Sequence, residues 1–296
     1  MPKQDDLRKG ALYMVATAFL FAVMGVAVKL LAQTLPNSVV VFLRNVFGLL
    51  VLLPFLTRLG PGGLRTRNLR GHLVRGLAGL MAMYCFFYAI GQMRLADAVL
   101  LNYSLPLFVP FIERAWLHEP VPASLWPPIL LGFLGLVVIL RPGAGVFEPV
   151  ALVGLLAAVF SALAQVGVRN LTRSEPITRI VFYFSLVSTV VSAGPAALAW
   201  RTPAPALYPV LLMLGVSATV AQLLMTRAYS HAPAAQVGPF IYSAVVFAGL
   251  ADWLFWGRLP DGLFLLGATL VVVASALTLR RGRRAAAVAP LPETAG

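Results

Sequence analysis

Residues 87–122 read FYAIGQMRLADAVLLNYSLPLFVPFIERAWLHEPVP. Two apolar runs meet here at a short polar joint, Arg94 to Asp97, which reads as a tight turn between antiparallel helices. The second run carries Asn102, Tyr103, Ser104 and Pro106 inside apolar sequence and ends on an acidic, proline-rich edge. A weaker copy lies 139 residues on: Ala89, Ala96, Tyr103, Ser104 and Phe108 recur as Ala228, Ala235, Tyr242, Ser243 and Phe247, and Glu113 recurs as Asp252.

The echo extends toward the N-terminus. Shifting residues 11–42 by 140 places Ala11, Leu12, Ala18, Ala22, Val26, Val28, Leu31, Pro36, Val41 and Phe42 on identical residues, and Lys29 on Arg169. Ten identities in 32 exceed the roughly one in ten that an Ala/Leu/Val-rich composition gives by chance.

The chain is 60% hydrophobic and 11% charged, with mean hydropathy +0.88, against about 25% charged residues in a soluble protein. Such a chain cannot cover itself with polar surface, so the bilayer is its expected partner. The net charge of +13 does not point to nucleic acid, because the basic residues are interleaved with spans too apolar for a soluble face. The single cysteine, Cys85, excludes an internal disulfide. The first apolar run, 10–32, is too long for the core of a cleaved signal and reads as a retained helix.

A helix needs about 20 apolar residues to cross the hydrocarbon, and the runs do not alternate as barrel strands would. Helices are expected near 11–32, 37–57, 74–93, 96–116, 124–141, 150–169, 178–199, 208–229, 236–256 and 262–280. The expected fold is therefore an all-α integral membrane protein with ten transmembrane helices. With the N-terminus in the cytoplasm, fifteen Lys and Arg fall on that side, Arg75 among them as a loop residue, against four on the other. Both termini are then cytoplasmic. Two repeats follow, 10–141 and 150–280, with a low-complexity, disordered tail at 285–296. Five helices per repeat is odd, so the second copy enters the membrane inverted, an architecture of transporters with a midplane site.

Ionisable groups inside membrane helices are expensive and mark candidate sites. Arg44, about seven residues into the second helix, is the deepest basic group: a counter-charge for an anionic or carboxylate cargo, or else a member of an internal ion pair or a snorkelling side chain. Lys29 and Arg227, near helix ends, read as snorkelling anchors. Glu113 and Asp252 stand at matching repeat positions near opposite mouths, as gating or proton-coupling groups or as partners of nearby arginines. Asp97 and Asp261 read as helix caps. Asn102, Tyr103, Ser104, Gln165, Tyr242 and Ser243 are candidate substrate-binding residues, or they tie helices together by hydrogen bonds. Gln222 is a weaker candidate of the same kind. Pro106 and Pro110 are expected to break the fourth helix. His72, His118 and His231 are scattered, and the chain has no HExxH, GxSxG, Walker or CxxC motif, so no catalytic residue, metal site or cofactor is expected.

The sequence resembles the drug/metabolite transporter superfamily, in its ten-helix form with two EamA-like repeats. The residues that carry the resemblance are Arg75-Gly76 and Gly79, FYAI at 87–90, LADA at 95–98, Pro106, His118-Glu119-Pro120 and Gly132, then Arg227-Ala228-Tyr229, Pro233-Ala234-Ala235, Gly257 and Gly267. It spans about residues 10–280. It implies a secondary transporter of the inner membrane with a central cavity and alternating access, as a monomer or homodimer. The implied cargo is a small polar or amphipathic metabolite, or else a vitamin or nucleotide-like cofactor taken up, such as riboflavin or S-adenosylmethionine. A membrane-embedded enzyme or scaffold is the alternative of another class. By the same resemblance Glu119 closes the fourth helix, whereas Arg258 stands where the second repeat would carry Glu.

Overall fold

The computed structural model describes residues 6–56, 63–92, 100–119, 121–143, 148–257 and 259–288. The joint Arg94–Asp97, Arg258 and the tail beyond Val288 lie outside them, as does the side chain of Asp252. Among the described residues all regular structure is helical: α1 Leu7–Leu31, α2 Asn37–Leu56, α3 Leu69–Gln92, α4 Leu105–Leu117, α5 Trp126–Leu140, α6 Ala151–Leu171, α7 Ile177–Leu198, α8 Tyr208–His231, a single turn α9 Ala234–Val237, α10 Ser243–Trp256 and α11 Gly262–Val288. Eight stretches of the described chain are long and apolar enough to cross a membrane.

Local chemistry sets the helix ends. Asp6 accepts the N–H of Lys9 at 3.1 Å and opens α1, and Asp261 accepts that of Phe264 at 2.9 Å and opens α11. Asn68 accepts the N–H of Gly71 at 3.1 Å, so α3 begins at Leu69, five residues before the apolar run suggests. His118 ends α4 and Gly257 follows α10, both left-handed with φ of 56° and 67°. They are equivalent under the shift of 139. Gly adopts this conformation freely; His does not.

Pro106 falls in the first turn of α4 and does not kink a helix interior, because proline lacks only an amide that is orphaned there anyway. The helical chain instead breaks at Tyr103–Ser104, between a turn at 100–102 and α4. In the other half α10 is preceded by the 3-10 turn Gly238–Tyr242. Ser104 Oγ donates to the Leu101 carbonyl at 2.6 Å, and Ser243 Oγ to the Phe240 carbonyl at 2.7 Å. The same hydroxyl closes the same broken turn in both halves.

Packing joins the halves. α1 lies on α8 and α3 on α6; α1 on α10 and α4 on α6; α2 on α8 and α7 on α3; α2 on α7 and α5 on α11. Each of these pairings brings a helix from before Arg141 against one from after Val150. Exchanging each helix for its repeat counterpart returns the same set. Gly135 and Gly267 let α5 and α11 touch backbone to backbone, since a Cβ on either would stand 2.7 or 2.6 Å from the other's carbonyl oxygen. The outer faces are apolar: Leu12, Phe111, Leu152 and Leu254 are all more than half exposed, as a lipid-facing surface requires.

Candidate functional site

Between the halves lies a cavity of about 190 Å³. It is smaller than the roughly 300–1,000 Å³ of pockets for drug-sized ligands, which suits a small metabolite. Its walls come from α1, α2, α3, α6, α7 and α8 and the broken turn before α4. Met24, Val28, Val40 and Phe86 make an apolar upper wall; Arg44, Arg75, Asn102, Gln165 and Gln222 supply the polar groups.

Arg44 is buried within α2 and donates to Asn45 Oδ1 at 2.8 Å, which fixes its root, while Asn45 Nδ2 donates back to the Val41 carbonyl. Asn102 Oδ1 accepts from Ser161 Oγ at 3.3 Å across the halves. Tyr103 faces the cavity. Gln165 lines it and accepts a short hydrogen bond from the Tyr229 hydroxyl. The expected residues Ser104, Tyr242 and Ser243 do not line it. Both serines are spent on the broken turns, and Tyr242 is buried with its ring against Gly132. Glu113 is fully buried away from the cavity, where its two oxygens accept the amides of Ala234 and Ala235 at 2.6 and 2.8 Å. It caps α9 from across the halves, and neither of those bonds involves an arginine.

Arg75 corrects the loop placement. It lies six residues into α3, buried and lining the cavity. Its Nη2 donates to Gln222 Oε1 at 2.8 Å, and its guanidinium stacks 3.7 Å from the centroid of Phe184. Arg44 sits 5.4 Å from the same ring. Gly79, one turn beyond Arg75, makes this possible: a Cβ there would stand 2.7 Å from Arg75 Nη1 and 2.9 Å from Phe184 Cε2. The spacing Arg75…Gly79 was the sequence signal that could have found the residue. Arg169 is likewise buried within α6, so both leave the count of fifteen, and thirteen against four keeps the asymmetry.

The cavity is closed toward the end of the molecule that holds the start of α1. Met14, Ala18, Val166, Leu171, Ala228 and Tyr229 pack there in one buried core. Polar locks lie beyond it. Arg169 donates to the Tyr229 carbonyl at 3.0 Å and pairs with Glu119 at 3.5 Å, and Glu119 also receives Arg173. Glu175 accepts from Thr66 and Arg179, each at 2.5 Å, with His72 Nε2 at 3.8 Å. The opposite end holds a separate apolar cluster that includes Leu31, Leu35, Val39, Leu211 and Leu214.

A deep cavity between two interlocked halves, sealed at one end, is the geometry of a carrier, and the family assignment agrees. The profile of the EamA-like transporter family matches twice, over residues 8–141 and 149–280. The chain belongs to the EamA-like transporter family. It is a multi-pass membrane protein of a transporter family. Similar proteins include the pseudopaline exporter CntI of Pseudomonas aeruginosa, 36% identical over 91% of this chain and 95% of its own. The riboflavin transporter of Rhizobium johnstonii is 30% identical over 93% of this chain and 92% of its own. The S-adenosylmethionine uptake transporter of Rickettsia bellii is 29% identical over 87% and 88%. One solved crystal structure superposes with a TM-score of 0.81 over 93% of this chain and 98% of its own, at 21% identity, and shares the fold.

Proposed function

We propose that this EamA-like transporter is a secondary carrier that moves a small polar or amphipathic metabolite across the inner membrane by alternating access. The observation that carries the reading is the cavity itself: helices of both halves line it, and a core with polar locks seals it at one end. Rocking one half on the other would open that end and close its opposite.

The halves are two inverted five-helix repeats, residues 10–141 and 150–280, in a chain that crosses ten times. The exchange-symmetric packing supports this, as does the double family match. Both termini are cytoplasmic, on the strength of the charge asymmetry. The sealed end is then the cytoplasmic one, and the arrangement is the outward-facing state. Arg44, Asn102, Tyr103 and Gln165 are proposed cargo contacts; Glu113 and Asp252 remain proposed coupling groups. We propose export as the direction, on the greater identity to the exporter than to the uptake carriers. Uptake of a vitamin or cofactor is the second reading, favoured by the riboflavin and S-adenosylmethionine relatives.

The test is transport into right-side-out and inverted vesicles carrying the protein, screened against a labelled metabolite pool. Accumulation in inverted vesicles is expected. No movement in either orientation, with folded protein in the membrane, refutes the reading.

A further inference from the structure

Two guanidiniums, Arg44 and Arg75, line a cavity of about 190 Å³, and no Asp or Glu lines it among the described residues. Arg75 is nine-tenths buried and more, and its Nε and Nη1 have no hydrogen-bond partner among the described residues. Among the described residues its one hydrogen bond is to the neutral Gln222 amide, and the ring of Phe184 covers its face. A buried guanidinium without a counter-anion is an incomplete arrangement. Two of them side by side repel and raise the local positive potential. Glu113, Glu119 and Glu175 are all engaged below the cavity and supply no compensation.

We propose that the Arg75–Gln222 pair, with Arg44 beside it, is the cargo's carboxylate site, and that the transported compound is an anion with an apolar body. The inference rests on the transporter reading. The planar guanidinium matches a carboxylate's two oxygens, as an ammonium would not. Gln222 holds one edge of Arg75, which leaves Nε and Nη1 for the anion. Gly79 lets the guanidinium lie back along α3, since a Cβ there would stand 2.7 Å from Nη1. Met24, Val28 and Phe86 line the upper wall, where the apolar part of the cargo would rest. The site excludes cations by charge.

The test is a charge-swapped trio on one skeleton: 3-phenylpropanoate, 3-phenylpropanol and 3-phenylpropylamine. Their binding to the full-length protein in lipid nanodiscs is read by titration calorimetry. The carboxylate is expected to bind at least tenfold more tightly than the alcohol, and the amine not at all. Arg75→Gln should abolish that preference, Arg75→Lys should restore part of it, and Arg44→Gln should weaken it several-fold. Arg44→Gln also serves if Arg75→Gln does not fold. Equal binding of the three probes, binding of none, or a carboxylate preference that survives both glutamine substitutions overturns the proposal. Carboxylate binding by a protein that moves no metabolite in vesicles would leave this site standing and remove the transporter reading instead. Transport of the amine as fast as the carboxylate would do the reverse.

Discussion

The turn after α6 and the turn after α1 occupy equivalent places in the two halves, yet they are built from opposite chemistry. Glu175 and Arg179 correspond, at the shift of 140, to Leu35 and Val39; His72 corresponds, at 139, to Leu211. At one end these positions form a polar lock of Glu175, Thr66, Arg179 and His72. At the other they join one apolar cluster. The backbone plan is shared, and only the side chains decide what holds each end. Ion pairs titrate with pH and are screened by salt, whereas apolar contacts carry no charge to titrate or screen. Two ends of one architecture can therefore open under different conditions.

The largest effect is expected from exchanging the chemistry. Leu35→Glu puts a carboxylate with no partner among Leu31, Val39, Leu211 and Leu214 and should cost about 3–5 kcal/mol, the scale for an uncompensated buried charge. Thermal unfolding in detergent reads it; a Tm within a degree of wild type would mean that this cluster does not hold the helices together at its end. Next comes Glu175→Ala, which strips Arg179 and Thr66 of their acceptor and should cost about 2 kcal/mol. It should also expose the sealed end, read as faster labelling of a cysteine placed there.

The pH dependence has a definite sign. Burial pushes the Glu175 carboxyl up, but hydrogen bonds from Thr66 and Arg179 outweigh it, and the group lies below the usual glutamate range. Its stabilisation is therefore complete above about pH 4.3 and is lost as the pH falls through its own lower value. Wild-type stability should drop on that acidic limb, and Glu175→Gln should flatten it. The smallest effect is His118→Gly. It makes the end of α4 like the residue after α10 and should stabilise by up to about 1 kcal/mol, because the left-handed backbone no longer carries a β-carbon. A loss of stability there would mean that the imidazole contributes contacts of its own.

Much of this was legible in the sequence. Hydropathy gave the membrane helices, and Arg44 stood out as a cation too deep for a loop. The YS recurrence marked equivalent sites, though not their purpose: Ser104 and Ser243 satisfy broken turns, and only a backbone path shows where a turn breaks. Arg75 was hidden because the first turn of α3, Leu69-Arg70-Gly71-His72, is too polar to register as helix until Asn68 is seen capping it. Phe184 read as one more apolar residue, and its place against Arg75 depends on how α3 meets α7. Nothing near Glu113 in the chain announced its partners. They belong to a turn in the other half.

That last contact bears on how the protein is made. Glu113 is synthesised 121 residues before the first amide it serves. Through that interval the first five helices can be in the membrane while their buried carboxylate has nothing to hold. The turn at Ala234, in its turn, emerges onto an acceptor that is already waiting. One side chain thus makes completion of the early part of the chain depend on arrival of the late part, and a ribosome that stops short of Ala234 leaves a fragment whose Glu113 carboxyl lacks the two amides that hold it.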